Sequence, residues 1–421
     1  MFLKEVNFKN FRCFDDLKLS FARGNNGIRK WTILLGQNGS GKSNLLKGIA
    51  LITAGSDALT KLLGNPDDWI QYHKKYCEIR ALLVTKSGEE RQISMRINRG
   101  DGPSDILIKN KESLSLLDDA LEHAERNYFV IGYGAYRRLR SDSSLRSEKG
   151  DTQSQRRALN VGTLFDPDQP LVPLESWAMD LDYRKNTKGM DTIRKVLTAF
   201  LREVSFSRID KDKQQLMFKT PDGIVPMHLL SDGYQNIASW VGDLLYRVSQ
   251  TFDDYSKPLS ARGVLLIDEI DLHLHPTWQR ELLEFLSRRL PNLQLIVTTH
   301  SPITAQQASE GELHHLERVG KRIELNVFDG SPKTLLLHQL VMSDLFGIES
   351  DESREIASKK SEYRKLRSKQ KDLTPTQQKR YVQLKQEISQ MPTIQRSQSA
   401  VTTTQIDLLN KLRDELKAVK K

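Results

Sequence analysis

The chain has 421 residues, 38% of them hydrophobic, and a formal net charge of +10; at roughly 100–200 residues per domain this leaves room for two or three domains with a real core. No apolar run approaches the about 18 residues of a membrane span, and residues 1–14 alternate like a strand where a signal peptide would show an apolar block, so a cytoplasmic protein without membrane contact is expected. Cys13 and Cys77 are the only cysteines and belong to no CxxC or Cys/His cluster, which argues against a disulfide framework and a zinc site.

The charge is unevenly placed. Residues 351–421 carry 17 Lys and Arg against 9 Asp and Glu, an excess of 8, which leaves +2 for the first 350 residues. A basic tail suits an anionic partner, nucleic acid or an acidic protein face, as well as it suits a solvated helical surface.

In chain order, residues 1–35 read as a short antiparallel start: Leu3, Val6, Phe8 and Phe11 are spaced as strand and turn, and Leu17, Leu19 and Phe21 alternate. After a loop at 22–30, an apolar run at 31–35 leads into Gly36-Gln37-Asn38-Gly39-Ser40-Gly41-Lys42-Ser43, and helix formers follow from Asn44. Strand, G-x-x-x-x-G-K-[ST] loop and helix together make a phosphate cradle. The glycines let backbone N–H groups curl around phosphate oxygens, and the helix N-terminus adds its dipole. Lys42 reaches the β- and γ-phosphates, and Ser43 places a hydroxyl on Mg²⁺. ATP and Mg²⁺ are the cofactors this predicts.

Residues 64–68 form a turn, 79–84 and 91–97 a hairpin, and 101–103 a break. A strand at 128–136 runs into a Ser-, Arg- and Gln-rich loop to about residue 157. Helical periodicity returns at 174–183 and 193–204, with a small hairpin at 206–223, so the middle of the chain reads as a mostly helical insertion. Leu230-Ser231-Asp232-Gly233-Tyr234-Gln235 then opens a helix running to Val248, with Ser231 placed as an N-cap.

The apolar string 263–267 ends in Asp268-Glu269, as a buried parallel strand delivering two acids to a sheet edge would. Beside a phosphate loop, Asp268 would hold Mg²⁺ and Glu269 would act as general base on water. Asp271 is placed to cap a helix. His273 and His275 precede Pro276 without a third metal ligand, so a structured turn is the preferred reading. His300 follows a third apolar strand at 293–297 and emerges at the same edge, where a neutral imidazole can donate to the γ-phosphate. A last strand is expected at 323–328. From residue 335 the chain is helical and charged, broken at Gly347, at 373–375 and by a Ser/Thr/Gln-rich linker at 393–404 before a final helix at 406–419.

With these pieces in order, the chain resembles the ATP-binding-cassette ATPases of the SMC, RecF-like and OLD-like type over most of residues 1–330. The resemblance implies an α/β cassette head: a mixed β-sheet around a P-loop core, a helical lobe insertion and a helical C-terminal extension. It identifies residues 36–43 as Walker A, 230–235 as the signature, 264–269 as Walker B, 270–271 as the D-loop and His300 as the switch histidine. It implies nucleotide binding by Arg12, Gly36, Asn38, Gly39, Ser40, Gly41, Lys42, Ser43 and Asn44, with Arg12 from an Asn10-Phe11-Arg12 motif. It assigns catalysis to Glu269, Lys42 and His300, metal binding to Ser43 and Asp268, and signature contacts to a second protomer to Ser231, Gly233 and Gln235. The departure lies at the Q-loop, where Tyr133-Gly134-Ala135-Tyr136-Arg137 occupies the expected place and no glutamine follows the strand.

The implied organisation is an N-terminal lobe part at 1–135, a helical lobe at 136–250, the rest of the cassette at 251–335 and a basic helical extension at 336–421. Only 187 residues separate Ser43 from Ser231, interrupted by turn signals, so no long coiled-coil arm fits. No strand after His300 ends in D-x-D, so a nuclease site within the chain is not expected. Short cassettes of this kind look like ATPase subunits of bacterial anti-phage systems, notably Septu, which implies a homodimer or higher even oligomer and a separate HNH-type nuclease partner. A RecF-like DNA-clamping ATPase is the alternative, with DNA as the anionic partner; a transporter motor is disfavoured by the signature Leu-Ser-Asp-Gly-Tyr-Gln and the N-terminal Asn-Phe-Arg.

Overall fold

The computed structural model describes residues 1–24, 27–85, 88–122, 129–137, 153–184, 186–201, 203–251, 258–348, 352–368 and 373–390. They fall into two compact units, residues 1–347 and 348–421.

The first unit is built on a six-stranded sheet in the spatial order Arg322–Val327, Leu313–Val319, Trp31–Gly36, Leu293–Thr298, Gly263–Ile267, Phe129–Tyr133. All neighbours are parallel except the outermost hairpin of Leu313–Val319 with Arg322–Val327. Trp31–Gly36, Leu293–Thr298, Gly263–Ile267 and the edge strand Phe129–Tyr133 are buried at every position, as expected of parallel strands covered on both faces. The two-residue period divides their side chains between two cores. Ile33, Leu35, Ile131, Leu265, Ile267, Leu295 and Val297 enter one; Leu34, Val130, Val264, Leu266 and Ile296 enter the other.

The second of these cores lies between that sheet and a four-stranded antiparallel sheet ordered Phe14–Ser20, Phe2–Phe11, Tyr76–Val84, Glu90–Asn98. Gln294 locks the two sheets together: its Nε2 donates to the Leu3 carbonyl and its Oε1 accepts from the Leu3 N–H, both at 2.8 Å. The helix Lys42–Thr53 sits in this core, its position set by Gly48. A Cβ there would stand 2.3 Å from Phe8 Cε1, so glycine lets the helix lie directly on the first strand.

Over the other face pack the helices Leu174–Tyr183, Thr187–Phe200 and Asp232–Thr251 and a three-stranded sheet of Ser205–Asp210, Gln215–Thr220 and Gly223–Pro226. Asp243, fully buried in the long helix, accepts from Tyr133 Oη (2.9 Å), the Val172 N–H (2.9 Å) and Arg247 Nε (2.7 Å). A buried carboxylate is tolerable when paired and hydrogen-bonded this fully, and here it ties the helix to the edge strand.

Several expectations need correction. The break at 101–103 is followed by two helices, Pro103–Lys109 and Lys111–Glu122, for which only the proline at the first helical position gave a signal. Leu313–Val319 is a strand, added to the phosphate-loop strand, where none was expected. Ala22–Arg23 and Gly27–Ile28 pair briefly within the expected 22–30 loop. The expected strand at 128–136 is seen as Phe129–Tyr133. In the second unit, Arg354–Ser368 and Pro375–Gln390 are helices joined by the Arg380–Glu362 pair (2.9 and 3.0 Å) and by stacking of Tyr363 on Tyr381. Residues 138–152, the 393–404 linker and the final 406–419 helix lie outside the described residues.

Candidate functional site

The phosphate loop leaves the central strand Trp31–Gly36 and enters the helix Lys42–Thr53. Gly39 (φ 78°) and Gly41 (φ 96°) take left-handed conformations that side-chain-bearing residues resist. At Gly41 a Cβ would also meet Cys13 Sγ at 2.7 Å and the Phe14 ring at 2.8 Å. The helix has no side-chain cap at its N-terminus, so its first N–H groups and dipole face the loop uncompensated, the arrangement that favours an anion. Lys42 is buried and its Nζ donates to the carbonyls of Gly36 (2.8 Å) and Gln37 (3.2 Å). Burial holds its ammonium below the ordinary lysine value, with the Glu269 and Asp268 carboxylates opposing. Asn38 is exposed at the loop tip.

The strand order sets the rest. Gly263–Ile267 and Leu293–Thr298 run parallel to the phosphate-loop strand, so all three deliver their carboxyl ends to one edge. Ser43 Oγ donates to Asp268 Oδ2 at 2.7 Å. Thr298 Oγ1 donates to Asp268 Oδ1 at 2.6 Å and accepts the Glu269 N–H at 2.8 Å. Glu269 stands in the left-handed region (φ 50°), and its Oε1 lies 3.2 Å from His300 Nε2. Burial first, then the Asp268 carboxylate, pushes the Glu269 carboxyl up to about 7; burial and then the Lys42 ammonium hold the His300 imidazole below its usual value. A neutral imidazole beside a carboxyl of raised pKa is a pair poised for proton transfer near neutral pH.

Arg12 reaches the site from the first sheet. Its guanidinium lies 4.1 Å over the Trp69 ring and its Nη1 donates to Asn44 Oδ1 at 3.2 Å. Asn44 thereby ties the N-terminal turn to the phosphate-loop helix, with its Nδ2 3.7 Å from Cys13 Sγ. Two buried polar atoms here have no hydrogen-bond partner, Ser40 Oγ and Arg12 Nε. Such donors are costly unless something satisfies them, and phosphate oxygens would. The facing oxygens of Ser43 and Asp268 are the hard donors that Mg²⁺ takes. The residues present therefore fit a magnesium nucleotide.

Of the residues singled out from sequence, Gly36, Gly39, Ser40, Gly41, Lys42, Ser43, Asn44, Arg12, Asp268, Glu269 and His300 gather at this edge. Ser231, Gly233 and Gln235 stand elsewhere. Ser231 is exposed just ahead of the helix Asp232–Thr251. A Cβ on Gly233 would lie 3.1 Å from the His273 carbonyl, and Gln235 Nε2 donates to the carbonyls of Leu230 (2.6 Å) and His228 (3.2 Å).

The contacts of three residues were not legible in the sequence, which placed Asp271 in the D-loop and at a helix cap and Arg137 at the Q-loop position. Thr298 is the hydroxyl between both carboxylate residues. Asp271 does not cap a helix; it is buried and accepts from Thr299 Oγ1 (2.6 Å) and Thr304 Oγ1 (2.7 Å), stitching the turn after Glu269 to the segment after His300. Arg137 donates to the backbone carbonyls of Asp268 (2.7 Å) and Glu269. The Thr-Thr-His order in 298–300 was the available signal for the first two; Arg137 was marked only by its place in the segment 133–137, where a Q-loop is expected. His275 caps the short helix Pro276–Gln279 by accepting from the Thr277 N–H at 3.3 Å, in keeping with a turn.

The chain matches two AAA domain families in succession, one over residues 5–170 and one, described as "AAA domain, putative AbiEii toxin, Type IV TA system", over residues 129–305. It is 27% identical over 349 residues to the Septu protein PtuA of Bacillus mycoides, covering 82% of this chain but 45% of that protein. To the Septu protein PtuA of Bacillus thuringiensis it is 24% identical over 322 residues, 74% of each chain. To the Retron Vc95 probable ATPase of Vibrio cholerae it is 20% identical over 387 residues, 76% of this chain and 75% of that one. The chain thus spans less than half the length of the first of these relatives and about three quarters of the other two. Motif order, the strand order that gathers the motifs and these matches point the same way: the chain matches AAA domain models across residues 5–305 and is similar over most of its length to the Septu PtuA proteins.

Proposed function

We propose that this chain binds ATP with Mg²⁺ and hydrolyses it as the ATPase subunit of a bacterial anti-phage defence complex, regulating or holding a separate HNH-type nuclease through nucleotide-dependent pairing of its heads. The observation that supports hydrolysis most directly is the Glu269–His300 contact beside the Ser43–Asp268 hydrogen bond. The defence setting draws on the similarity to Septu and retron ATPases.

In this reading the backbone of residues 36–43 and Lys42 hold the β- and γ-phosphates, and Arg12 and Ser40 supply their unsatisfied donors to the same oxygens. Mg²⁺ held by Ser43 and Asp268 would supply neutralisation of phosphate charge. Glu269 orients water and takes its proton, which its raised pKa makes efficient near neutrality. His300, with the single N–H of a neutral imidazole, donates from Nε2 to the Glu269 carboxylate and holds it in place. Ser231, Gly233 and Gln235, at and near the exposed start of the long helix, would complete the site of a second copy of the chain.

Phosphate release from ATP by the purified chain tests this. Turnover should require Mg²⁺, stop with EDTA and fall with Glu269→Gln; a chain that binds magnesium nucleotide without releasing phosphate, alone or with its neighbouring gene products, would be a nucleotide-gated scaffold instead.

A further inference from the structure

We propose that Arg137 is a positioning residue that fixes the Glu269 carboxylate and makes its placement depend on the long helix Asp232–Thr251. The inference rests on Glu269 acting as the base. It goes further by naming what holds that base and what could release it.

Arg137 follows the edge strand Phe129–Tyr133 by four residues and leaves the sheet at the same edge as Asp268. Its guanidinium is shared among three segments. Nη2 donates to the carbonyls of Asp268 (2.7 Å) and Glu269, Nη1 to Asn236 Oδ1 (3.4 Å), and Nε back to the Gly134 carbonyl (3.2 Å). A planar guanidinium presents its donors in a fixed fork, so its partners cannot shift independently.

The peptide groups on either side of Glu269 are therefore clamped. Its N–H is held by Thr298 Oγ1 and its carbonyl by Arg137, while the preceding carbonyl of Asp268 is held by the same guanidinium. The clamp matters because Glu269 sits at φ 50°, a conformation that costs a non-glycine residue of order 1–3 kcal/mol unless its surroundings enforce it. Released, the residue would relax toward an ordinary backbone conformation and swing its carboxylate from His300.

Asn236 gives the clamp a remote input. It lies one turn into the helix Asp232–Thr251, and Asp243, two turns further along the same face, is bonded to Tyr133 Oη at 2.9 Å. The segment 133–137 thus grips the helix at two points and the carboxylate turn at a third. Because Ser231 and Gly233 stand at the start of that helix, a displacement there has a direct route to the Glu269 backbone through Asn236 and Arg137.

The test uses the full-length chain with Arg137→Lys, which keeps the charge but loses the fork, and Asn236→Ala, which cuts only the link to the helix. We expect Arg137→Lys to lower kcat on the order of 10²-fold while equilibrium binding of a fluorescent ATP analogue changes by less than about twofold. Asn236→Ala should lower kcat in the same direction by a smaller factor. A purely structural role would instead reduce binding and turnover together. In a Glu269→Gln background, adding Arg137→Lys should cost no more than about a further twofold in residual turnover, because the two residues act as one unit. Full kcat in the Arg137→Lys variant, a parallel loss of affinity, or an additive loss in the Glu269→Gln background would overturn the inference. A wild-type chain without turnover would instead refute the underlying ATPase reading, so the two failures are distinguishable. If Arg137→Lys does not fold, Asn236→Ala decides the question through the same split between kcat and affinity.

Discussion

The hydroxyl of Ser43 donates to the Asp268 carboxylate at 2.7 Å across 225 residues of sequence. One comes from the phosphate-loop helix and the other from the end of a strand two places away in the sheet. Neither residue means much alone, and their contact turns two sequence motifs into one site.

That site predicts a split between two substitutions. Lys42→Ala removes a buried charge aimed at the loop and should weaken ATP binding by about tenfold or more. Glu269→Gln keeps the shape of the site and should retain ATP while kcat falls about 10²–10⁴-fold. Equilibrium nucleotide titration and phosphate release, run on both variants, check this; equal loss of affinity in the two would remove Glu269 from the role of base.

The raised Glu269 carboxyl predicts a pH dependence of both activity and stability. Turnover needs the ionised form, so kcat/KM, which reports the free protein, should climb with pH through an apparent value of about 7. Stability should move the opposite way. A carboxyl whose folded-state pKa lies above its unfolded value of 4.5 lowers stability progressively as pH rises from there to about 7. Glu269→Gln, free of that cost, should be more stable than wild type at pH 8 by on the order of 1–3 kcal/mol and indistinguishable from it at pH 4. Denaturant melts of the nucleotide-free protein at the two pH values measure the difference.

Gly41 combines a left-handed backbone with a Cβ position already filled by Cys13 Sγ and Phe14. Gly41→Ala should therefore cost on the order of 1–3 kcal/mol in stability and abolish ATP binding through distortion of the loop. Thermal melting with and without ATP reports both, the second as loss of the ATP-induced rise in Tm.

The separation of Ser231 and Gly233 from the phosphate loop predicts a composite site. A mixture of Lys42→Ala and Ser231→Arg proteins should recover roughly a quarter of wild-type turnover, since half the dimers are mixed and each has one intact site of two. No recovery despite demonstrated subunit exchange would place the whole site within one chain.

The excess of 8 positive charges in residues 351–421 suits an acidic protein face, so if the proposed nuclease partner docks there, the tail is needed to hold it. Removing residues 393–421 should leave nucleotide turnover intact and abolish co-purification of the neighbouring nuclease. A truncated chain that still captures that nuclease would move the contact to the cassette.

Much of the site was legible in the sequence because its parts are local. The loop 36–43 needs glycines at fixed spacing, at 36, 39 and 41, and the run 263–267 needs unbroken apolar residues because both of its faces are buried. Strand ends carrying Asp268 and His300 follow from the same runs. The strand Leu313–Val319 was not legible, since its buried half contains His314 and His315 and its outer half is exposed; pairing with the phosphate-loop strand on one side and Arg322–Val327 on the other makes it a strand. The helices Pro103–Lys109 and Lys111–Glu122 were hidden because tertiary packing, not a strong local pattern, selects them.

The sequence by itself determined the chemistry on offer: a phosphate cradle, two acids, an imidazole and an arginine, each on an element whose period could be read. Tertiary structure alone decided which of them meet. Strand order is a property of long-range pairing, and it set Asp268 against Ser43 and Glu269 against His300. It also recruited Thr298, Asp271 and Arg137, whose bonds to the other strand ends and turns of the site span 28 or more residues.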